Sequence, residues 1–300
     1  MSLLDAFSVA DRTPQADPFF RWTGSKAALR ETISRRMPAR IAGNYLEPFI
    51  GGGALALALL SEPGRIAGAA LLSDTNQELI ITYACVRDCP ERVITALEAH
   101  KRASSAEHYK AIRAQVLPDL SGHDVRGEIG DAERAARFLY LIGAGWHGLW
   151  RVSATGKMNT PYGHGDTHYV EPERIYAASR ALSRARFAIM DFEQAIDRCG
   201  AGDLIYADPP YIPRTPTASF TAYGKNKFTQ TDHERLDHIC AIAANRGAHA
   251  LVSNSDTKHT RRIYAGGEAV TISHKYRIGA DRRGADPVRE VLIMYRREDR

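Results

Sequence analysis

Cysteine is scarce in this sequence, and the few thiols do not form a recognisable metal site or disulfide framework. There are four among 300 residues, and only Cys85 and Cys89 are close together. Their C-x₃-C spacing has no second pair to complete a zinc site, and a chain this long can form a large core without disulfides. We therefore predict small apolar roles for the thiols, and no metal.

Long apolar runs are also missing. No segment approaches the roughly 20 residues that span a membrane. The first residues lack a basic stretch followed by a long apolar one, so they do not match a signal peptide, and we expect residues 1–17 to form a loose tail. These features favour a cytoplasmic protein without a membrane partner.

Two nucleotide-binding signatures are absent as well. No G-x-x-x-x-G-K-[ST] stretch occurs, which disfavours a nucleoside triphosphate held by a P-loop. The glycine-rich turn that starts at Gly51 reads G-G-G-A-L-A and lacks the third glycine of a dinucleotide site. The net charge of +5 is compatible with a polyanionic partner but does not establish one.

Strands and helices alternate at both ends of the sequence. Short, continuously apolar runs separated by helices are typical of a parallel sheet covered on both faces. A helix before the fifth strand has Thr231 and Glu234 at capping-box spacing. The fold class is therefore α/β, with a doubly wound, mostly parallel sheet. The predicted strands are 44–50, 69–74, 187–191, 203–208, 249–256, 269–275 and 290–295.

The middle of the sequence has a different pattern. Three segments have helical periodicity, and residues 148–163 then read as a hairpin that turns at residues 154–156. We interpret residues 86–185 as an inserted helical subdomain that carries a β-hairpin. The core would then comprise residues 18–85 and 186–300.

A glycine turn and an acid point to a cofactor site. Gly51–Gly53 follow the first predicted strand and open a helix, where glycine permits positive φ and the close approach of a ligand. Asp74 ends the second strand 23 residues after Gly51, the spacing at which an acid binds ribose hydroxyls. A plain tight turn would explain the glycines alone, but the two features together favour an adenosine-containing cofactor.

The fourth predicted strand ends in Asp208-Pro209-Pro210-Tyr211. Proline cannot continue a central strand, so Asp208 lies where the strand stops. It then shares the carboxyl edge of the sheet with the glycine turn and Asp74. The alternative is a helix cap followed by a turn.

Taken in order, these segments resemble the Dam-type N6-adenine DNA methyltransferases. The resemblance covers about residues 18–295 and rests on RWTGSK, EPFIGGGALAL, DTNQELI, GLWRVSATGKMNTPYG, DPPY and VSNSD. DPPY alone is shared with other amino-methyltransferases, whereas the ordered set is specific. It implies a fold of the S-adenosylmethionine-dependent methyltransferase type and methylation of adenine N6 in double-stranded DNA. We expect a monomer in solution, encoded by a bacterium or a phage.

The resemblance also implies which residues contact S-adenosylmethionine. Asp74 would bind the ribose hydroxyls, Asp191 and Phe192 would flank the adenine, and Glu47 would border the methionine part. The full set is Trp22, Lys26, Glu47, Phe49, Gly51, Gly53, Asp74, Asp191, Phe192 and Asp208.

The DPPY segment suits an exocyclic amine as the methyl acceptor. Such an amine is a poor nucleophile because its lone pair is delocalised into the ring. Asp208 and the carbonyl of Pro209 can accept its two N–H bonds and favour the geometry in which the lone pair attacks. Pro210 stiffens the turn, and Tyr211 offers a face to a base flipped out of the duplex. The donor is a sulfonium cation, so transfer requires positioning rather than a metal.

Two other functions stay open on these residues. The same acceptors would suit N4 of cytosine, and a DNA-binding protein could retain an inactive methyltransferase fold. A cofactor titration separates the last possibility from both enzymes.

Candidate DNA contacts lie on the hairpin and on a later loop. Arginine can bind guanine and lysine can bind phosphate, whereas a hairpin with incidental charge is the alternative. The loop at 212–228 is expected to close over the flipped base or over the DNA backbone. His147, Ser153 and Met158 depart from the residues usual in the family, so no target sequence is assigned. The candidates are His147, Arg151, Lys157, Asn159, Lys225 and Lys227.

Overall fold

The computed structural model describes residues 15–120, 132–153, 156–165, 167–213, 228–274 and 288–296. Within them, seven strands form one sheet in the order β3-β2-β1-β4-β5-β7-β6. The first five strands run parallel, and β7 is antiparallel to both β5 and β6. This confirms the predicted sheet, with every strand end within three residues of its prediction. The strands are β1 Tyr45–Glu47, β2 Ala70–Asp74, β3 Ala185–Ile189, β4 Leu204–Ala207, β5 His249–Ser255, β6 Glu268–His274 and β7 Val288–Tyr295.

The described residues also form α-helices between and beside the strands. None of these helices is long and apolar enough to cross a membrane. A short 3₁₀ turn at Trp146–Gly148 follows the sixth helix. The helices are α1 Arg30–Ser34, α2 Ala54–Leu60, α3 Gln77–Asp88, α4 Pro90–Arg102, α5 Ala106–Ala114, α6 Ala132–Ala144, α7 Pro172–Leu182, α8 Phe192–Ile196, α9 Gln230–Asn245 and α10 Lys258–Ile263.

Successive strand residues enter two separate hydrophobic clusters, one on each face of the sheet. Tyr45 and Leu204 belong to the first cluster, whereas their neighbours Leu46 and Ile205 belong to the second. This is the alternation expected of strands buried on both faces. Helices α1–α7 contribute to the first cluster and α8–α10 to the second. The sheet is therefore doubly wound, as predicted.

The predicted insertion shares its core with the sheet. Buried residues of α4, α5 and α6 belong to the first hydrophobic cluster, which covers one face of the sheet, called here the first face. The proposed boundary at residue 86 falls inside α3. Ala16, which we assigned to the loose tail, is buried, and its N–H bonds to the Ser61 hydroxyl at 3.0 Å. The division into core and inserted subdomain stays a prediction.

The capping residues of α9 differ from those predicted. The hydroxyl of Thr229 accepts the Asp232 N–H at 3.3 Å, and the Asp232 carboxylate accepts the Thr229 N–H at 2.8 Å. Thr231 and Glu234 have the same spacing but lie inside the helix. The prediction was wrong because T-Q-T-D-H-E contains the pattern twice, and the first copy has the extended threonine that begins a helix.

A buried ion pair joins α3 to α6. Arg134 donates to both carboxylate oxygens of Glu78, with the shortest contact at 2.6 Å. Arg137 lies 3.8 Å from the same carboxylate. The side chains of Glu78 and Arg134 are only 12% and 7% exposed. Removing one partner of such a pair leaves an uncompensated buried charge.

Replacing Glu78 with Gln is expected to lower the free energy of unfolding by about 3 kcal/mol, measured by urea denaturation. Glu98→Gln is the matched control, because the pair of Glu98 with Lys101 at 2.7 Å lies nearer the surface. The control is expected to cost no more than about 1 kcal/mol. Equal losses in the two variants would contradict the role of the buried pair.

Candidate active site at the carboxyl edge of the sheet

Three acids lie at one edge of the sheet, in phase with its first face. Glu47 ends β1 and Asp74 ends β2, two residues after Tyr45 and Leu72 of the first cluster. Asp208 follows β4, two residues after Tyr206 of the same cluster. Strand order reverses between β1 and β4. Glu47 and Asp208 therefore border the switch point where open α/β sheets bind their ligands.

Asp208 forms an ion pair with Lys26 from the segment before α1. Lys26 Nζ lies 2.9 Å from Asp208 Oδ2, and the two side chains are 9% and 18% exposed. Lys26 also donates to the Gly24 carbonyl at 2.8 Å. The other carboxylate oxygen, Oδ1, is buried and accepts no hydrogen bond of ordinary geometry from the described residues, although the Tyr211 side chain lies close enough to Asp208 to oppose the rise in its pKa. A buried acceptor without a donor is costly, and a ligand N–H would relieve that cost.

Burial raises the pKa of all three acids. The pKa of Asp208 rises to about 6, although the positive charge of Lys26 opposes the shift. The pKa of Glu47 rises to about 8, against the hydrogen bond from Tyr45 and with a contribution from the charge of Asp208. Burial also raises the pKa of Asp74 to about 6, although backbone N–H donors oppose it. At neutral pH the pair Glu47 and Asp208 therefore carries mainly one negative charge.

The glycine turn has the conformation that the sequence predicted. Gly51 and Gly53 have φ values of 45° and 63°, in the left-handed region that favours glycine. The groups that approach these glycines closely are the protein's own side chains. A Cβ at Gly51 would lie 2.8 Å from Trp22 Nε1, and one at Gly53 would lie 2.6 Å from Tyr83 Oη. Tyr83 also donates to the Gly51 carbonyl at 3.0 Å.

The DPPY segment is fastened to β5 immediately after its tyrosine. The N–H of Ile212 donates to Asn254 Oδ1 at 3.1 Å, and the Ser255 hydroxyl donates to the Ile212 carbonyl at 2.7 Å. Pro209 is buried and Pro210 is half-buried. These contacts fix the backbone on the far side of Asp208, so the carboxylate and the following residues form one rigid unit.

An aromatic cluster lies next to the acids, on the second face. The rings of Phe49 and Phe192 stack with centroids 5.5 Å apart, and Phe228 meets Phe49 edge-on at 5.6 Å. Asp191 caps α8 and pairs with Arg235 at 3.0 Å. The structure thus brings Phe49, Asp191 and Phe192 together.

The hairpin carries the candidate DNA contacts on its exposed side. Val152 forms an antiparallel bridge with Met158, and the Asn159 N–H donates to the Arg151 carbonyl at 2.9 Å. The turn residues 154 and 155, and the candidates Lys225 and Lys227, lie outside the described residues. The candidates that are described are all exposed: His147, Arg151, Lys157 and Asn159.

The hairpin also borders an open depression of about 480 Å³. Trp146 is 47% exposed there, whereas Trp150 is buried against Phe138. The depression therefore offers one exposed aromatic face beside a cationic side chain. It is lined by Trp146, Leu149, Arg151, Pro161, Tyr162 and His164.

Several residues of the site were missed from the sequence. Tyr83 could not be told from other buried aromatic residues, and the pairing of Arg235 with Asp191 spans 44 positions. Glu290 did give a signal, because it is an acid at the start of the apolar strand EVLIMY. It is 3% exposed, and its Oε2 accepts the Tyr211 hydroxyl at 2.6 Å.

Comparison with known proteins shows which proteins this chain is similar to. The family model described as D12 class N6 adenine-specific DNA methyltransferase matches residues 22–278. The type II methyltransferase M1.LlaDCHI of Lactococcus lactis subsp. cremoris is 35% identical over 82% of this chain and 84% of its own length. A DNA adenine methylase of Vibrio cholerae is 31% identical over 92% of this chain and 95% of its own. The matched family is named for adenine N6, not for N4 of cytosine.

The packing of Tyr83 against the glycine turn gives a stability prediction. Gly53 and Gly64 both have positive φ, so alanine is expected to cost about 1–2 kcal/mol at either position. At Gly53 the added Cβ would also collide with Tyr83, whereas at Gly64 it meets nothing within 4 Å. Gly53→Ala is therefore expected to cost about 1–3 kcal/mol more than Gly64→Ala in chemical denaturation. The same loss in both variants would show that Tyr83 does not constrain the turn.

Proposed function

The chain belongs to the D12 class of N6 adenine-specific DNA methyltransferases, and we propose that it moves a methyl group from S-adenosylmethionine to an adenine flipped out of double-stranded DNA. One observation carries the proposal. Asp208 is held by Lys26 through one oxygen at the switch point of the sheet, and its other oxygen is buried without a hydrogen-bond partner in the part of the chain that the structure describes. An amine N–H of the target base supplies the missing donor.

The residues around the switch point fit the proposed cofactor. Bound S-adenosylmethionine supplies an electrophilic methyl group on a sulfonium cation. Glu47 is a buried carboxyl group that can ionise beside a cation, and Asp74 offers an acceptor for ribose hydroxyls. Phe49 and Phe192 provide apolar rings for an adenine, and Asp191 lies next to them. Trp22 and Lys26 complete the set by fixing the glycine turn and Asp208.

The chain's own groups then prepare the target amine. Asp208 Oδ1 accepts one N–H, and the carbonyl of Pro209 accepts the other. Both acceptors precede Ile212, which is fastened to β5, so they do not have to be ordered when the base arrives. Tyr211 holds the base by its ring face.

The hairpin is the surface that we assign to DNA. Arg151 and Lys157 supply positive charge, and Trp146 supplies an exposed aromatic face at the open depression. Cations on phosphates position a protein on DNA, whereas arginine in a groove can also read a base. His147 has φ 53°, which turns the chain sharply beside Trp146.

The carboxylate of Asp208 is expected to be essential for methyl transfer. Asp208→Asn keeps the size of the side chain but replaces one acceptor oxygen with a donor, so we expect a loss of at least about 10²-fold in rate. Transfer of tritiated methyl groups to methylation-free DNA, followed by separation of the nucleosides, measures both the rate and the modified base.

Asp197→Asn is the control, because Asp197 is exposed beside Arg246 and lies outside the site. It is expected to match the unmodified protein. A loss of less than about tenfold in Asp208→Asn, labelling of cytosine, or cofactor binding without labelling of any base would contradict the proposal.

Cofactor binding is expected to release a proton from Glu47. With a pKa of about 8, Glu47 is mainly protonated at pH 7. A cation beside it favours the ionised form and lowers its pKa, so most of one proton should leave at pH 7, and the number released should fall as the pH rises through the pKa of about 8. Calorimetry in buffers of different ionisation enthalpy counts these protons. Glu47→Gln should release none, and an unchanged count in that variant would exclude Glu47 from the cofactor site.

A further inference from the structure

Glu290 is a buried acid that the proposed reaction does not use directly. It lies on β7, opposite Ser255 of β5, two residues before Leu292 of the first cluster. It is therefore in phase with the face that carries Glu47 and Asp208. Burying a carboxylate is costly unless it is hydrogen-bonded, and Glu290 accepts the hydroxyl of Tyr211 at 2.6 Å.

The bond from Tyr211 to Glu290 restrains one motion of the ring. The hydroxyl oxygen lies on the axis of the Cβ–Cγ bond, so an anchor there leaves ring flips free but prevents a swing about χ1. Other contacts hold the same residue as well, among them one between the Tyr211 and Asp208 side chains. Lys26 Nζ lies 4.7 Å from the centre of the Tyr211 ring, and the next residue, Ile212, is bonded to Asn254 and Ser255.

An apolar pair could fill this volume at a lower desolvation cost. Replacing a buried polar contact by well-packed apolar groups is often neutral or stabilising, so general stability is a weak reason for an acid here. A charged acceptor does define one position for the hydroxyl, because hydrogen bonds to charged groups are short and directional. The arrangement therefore serves the placement of Tyr211.

We infer that Glu290 is a positioning residue that holds the Tyr211 ring in the place where the target base stacks. This inference rests on the proposed function, in which Tyr211 contacts the base. Through this hydrogen bond, a residue of β7 sets the position of Tyr211, which follows β4 and lies 79 positions earlier in the chain. Its loss should lower the rate of methyl transfer rather than the affinity for the cofactor.

A set of variants tests the inference through kcat on methylation-free plasmid DNA. Glu290→Leu should lower kcat about 10- to 100-fold, because a displaced ring misplaces the base. Glu290→Gln should stay within about threefold, because its amide oxygen can still accept the hydroxyl. The Kd for S-adenosylmethionine should change less than about twofold in both. Glu268→Leu and Glu268→Gln are the controls, since Glu268 is exposed on the neighbouring strand.

A double-mutant cycle separates positioning from general packing. Tyr211→Phe removes the hydroxyl, so adding Glu290→Leu to it should cause little further loss of kcat. If Glu290→Leu costs the same factor in both backgrounds, or if Glu290→Gln loses as much as Glu290→Leu, the inference is overturned.

A second readout does not depend on methyl transfer. With 3-fluorotyrosine placed at position 211, the ¹⁹F spectrum should show no more than two narrow resonances, one for each flip state of the ring, in the unmodified protein and in Glu290→Gln. In Glu290→Leu it should be broadened or split further. An unchanged spectrum in Glu290→Leu would overturn the inference, whereas absence of methyl transfer by the unmodified protein would overturn only the proposed function.

Discussion

Lys26 and Asp208 meet across 2.9 Å at a place where both side chains are largely removed from water. Burying either charge alone would cost desolvation free energy, and the attraction between the two charges offsets part of that cost. The pair joins the segment before α1 to the end of β4, so it ties two distant parts of the sequence to the switch point. Lys26 also lies against Tyr211 and bonds to Gly24. This contact and the hydrogen bonds of Ile212 to β5 together fix the position of the DPPY segment.

The same pair leaves Asp208 and Glu47 without an excess of negative charge at pH 7. Lys26 neutralises one carboxylate, while Glu47 has a pKa of about 8 and is mainly neutral at pH 7. A bound cation would allow Glu47 to ionise, so the site can match the charge of a sulfonium donor without a metal. In the proposed reaction, the Asp208 oxygen that has no hydrogen-bond partner among the described residues accepts an N–H of the base.

Much of this architecture could be predicted from the sequence because it follows from local rules. Apolar runs between helices predicted the strands of the sheet. Asp-Pro-Pro predicted the end of β4, because proline cannot continue a strand. The positive φ at Gly51 and Gly53 followed from the glycines themselves. All these features depend on residues close together in the chain.

Long-range contacts could not be predicted in this way. The partner of Tyr211 is 79 positions away, and Arg235 reaches Asp191 across 44 positions. No periodicity or spacing reports such pairs, since they exist only after the strands are ordered in the sheet. The prediction of the α9 capping box failed for a different reason. Two overlapping copies of one short pattern lie within six residues, and the spacing alone does not show which copy begins the helix.

The most direct test of the account is the distance from Asp208 Oδ1 to N6 of the target adenine in a crystal structure with duplex DNA and a non-reactive cofactor analogue. We expect a hydrogen bond of about 2.8–3.0 Å, with Lys26 still on Oδ2. A target amine bonded to other acceptors, or both Asp208 oxygens occupied by Lys26, would contradict it.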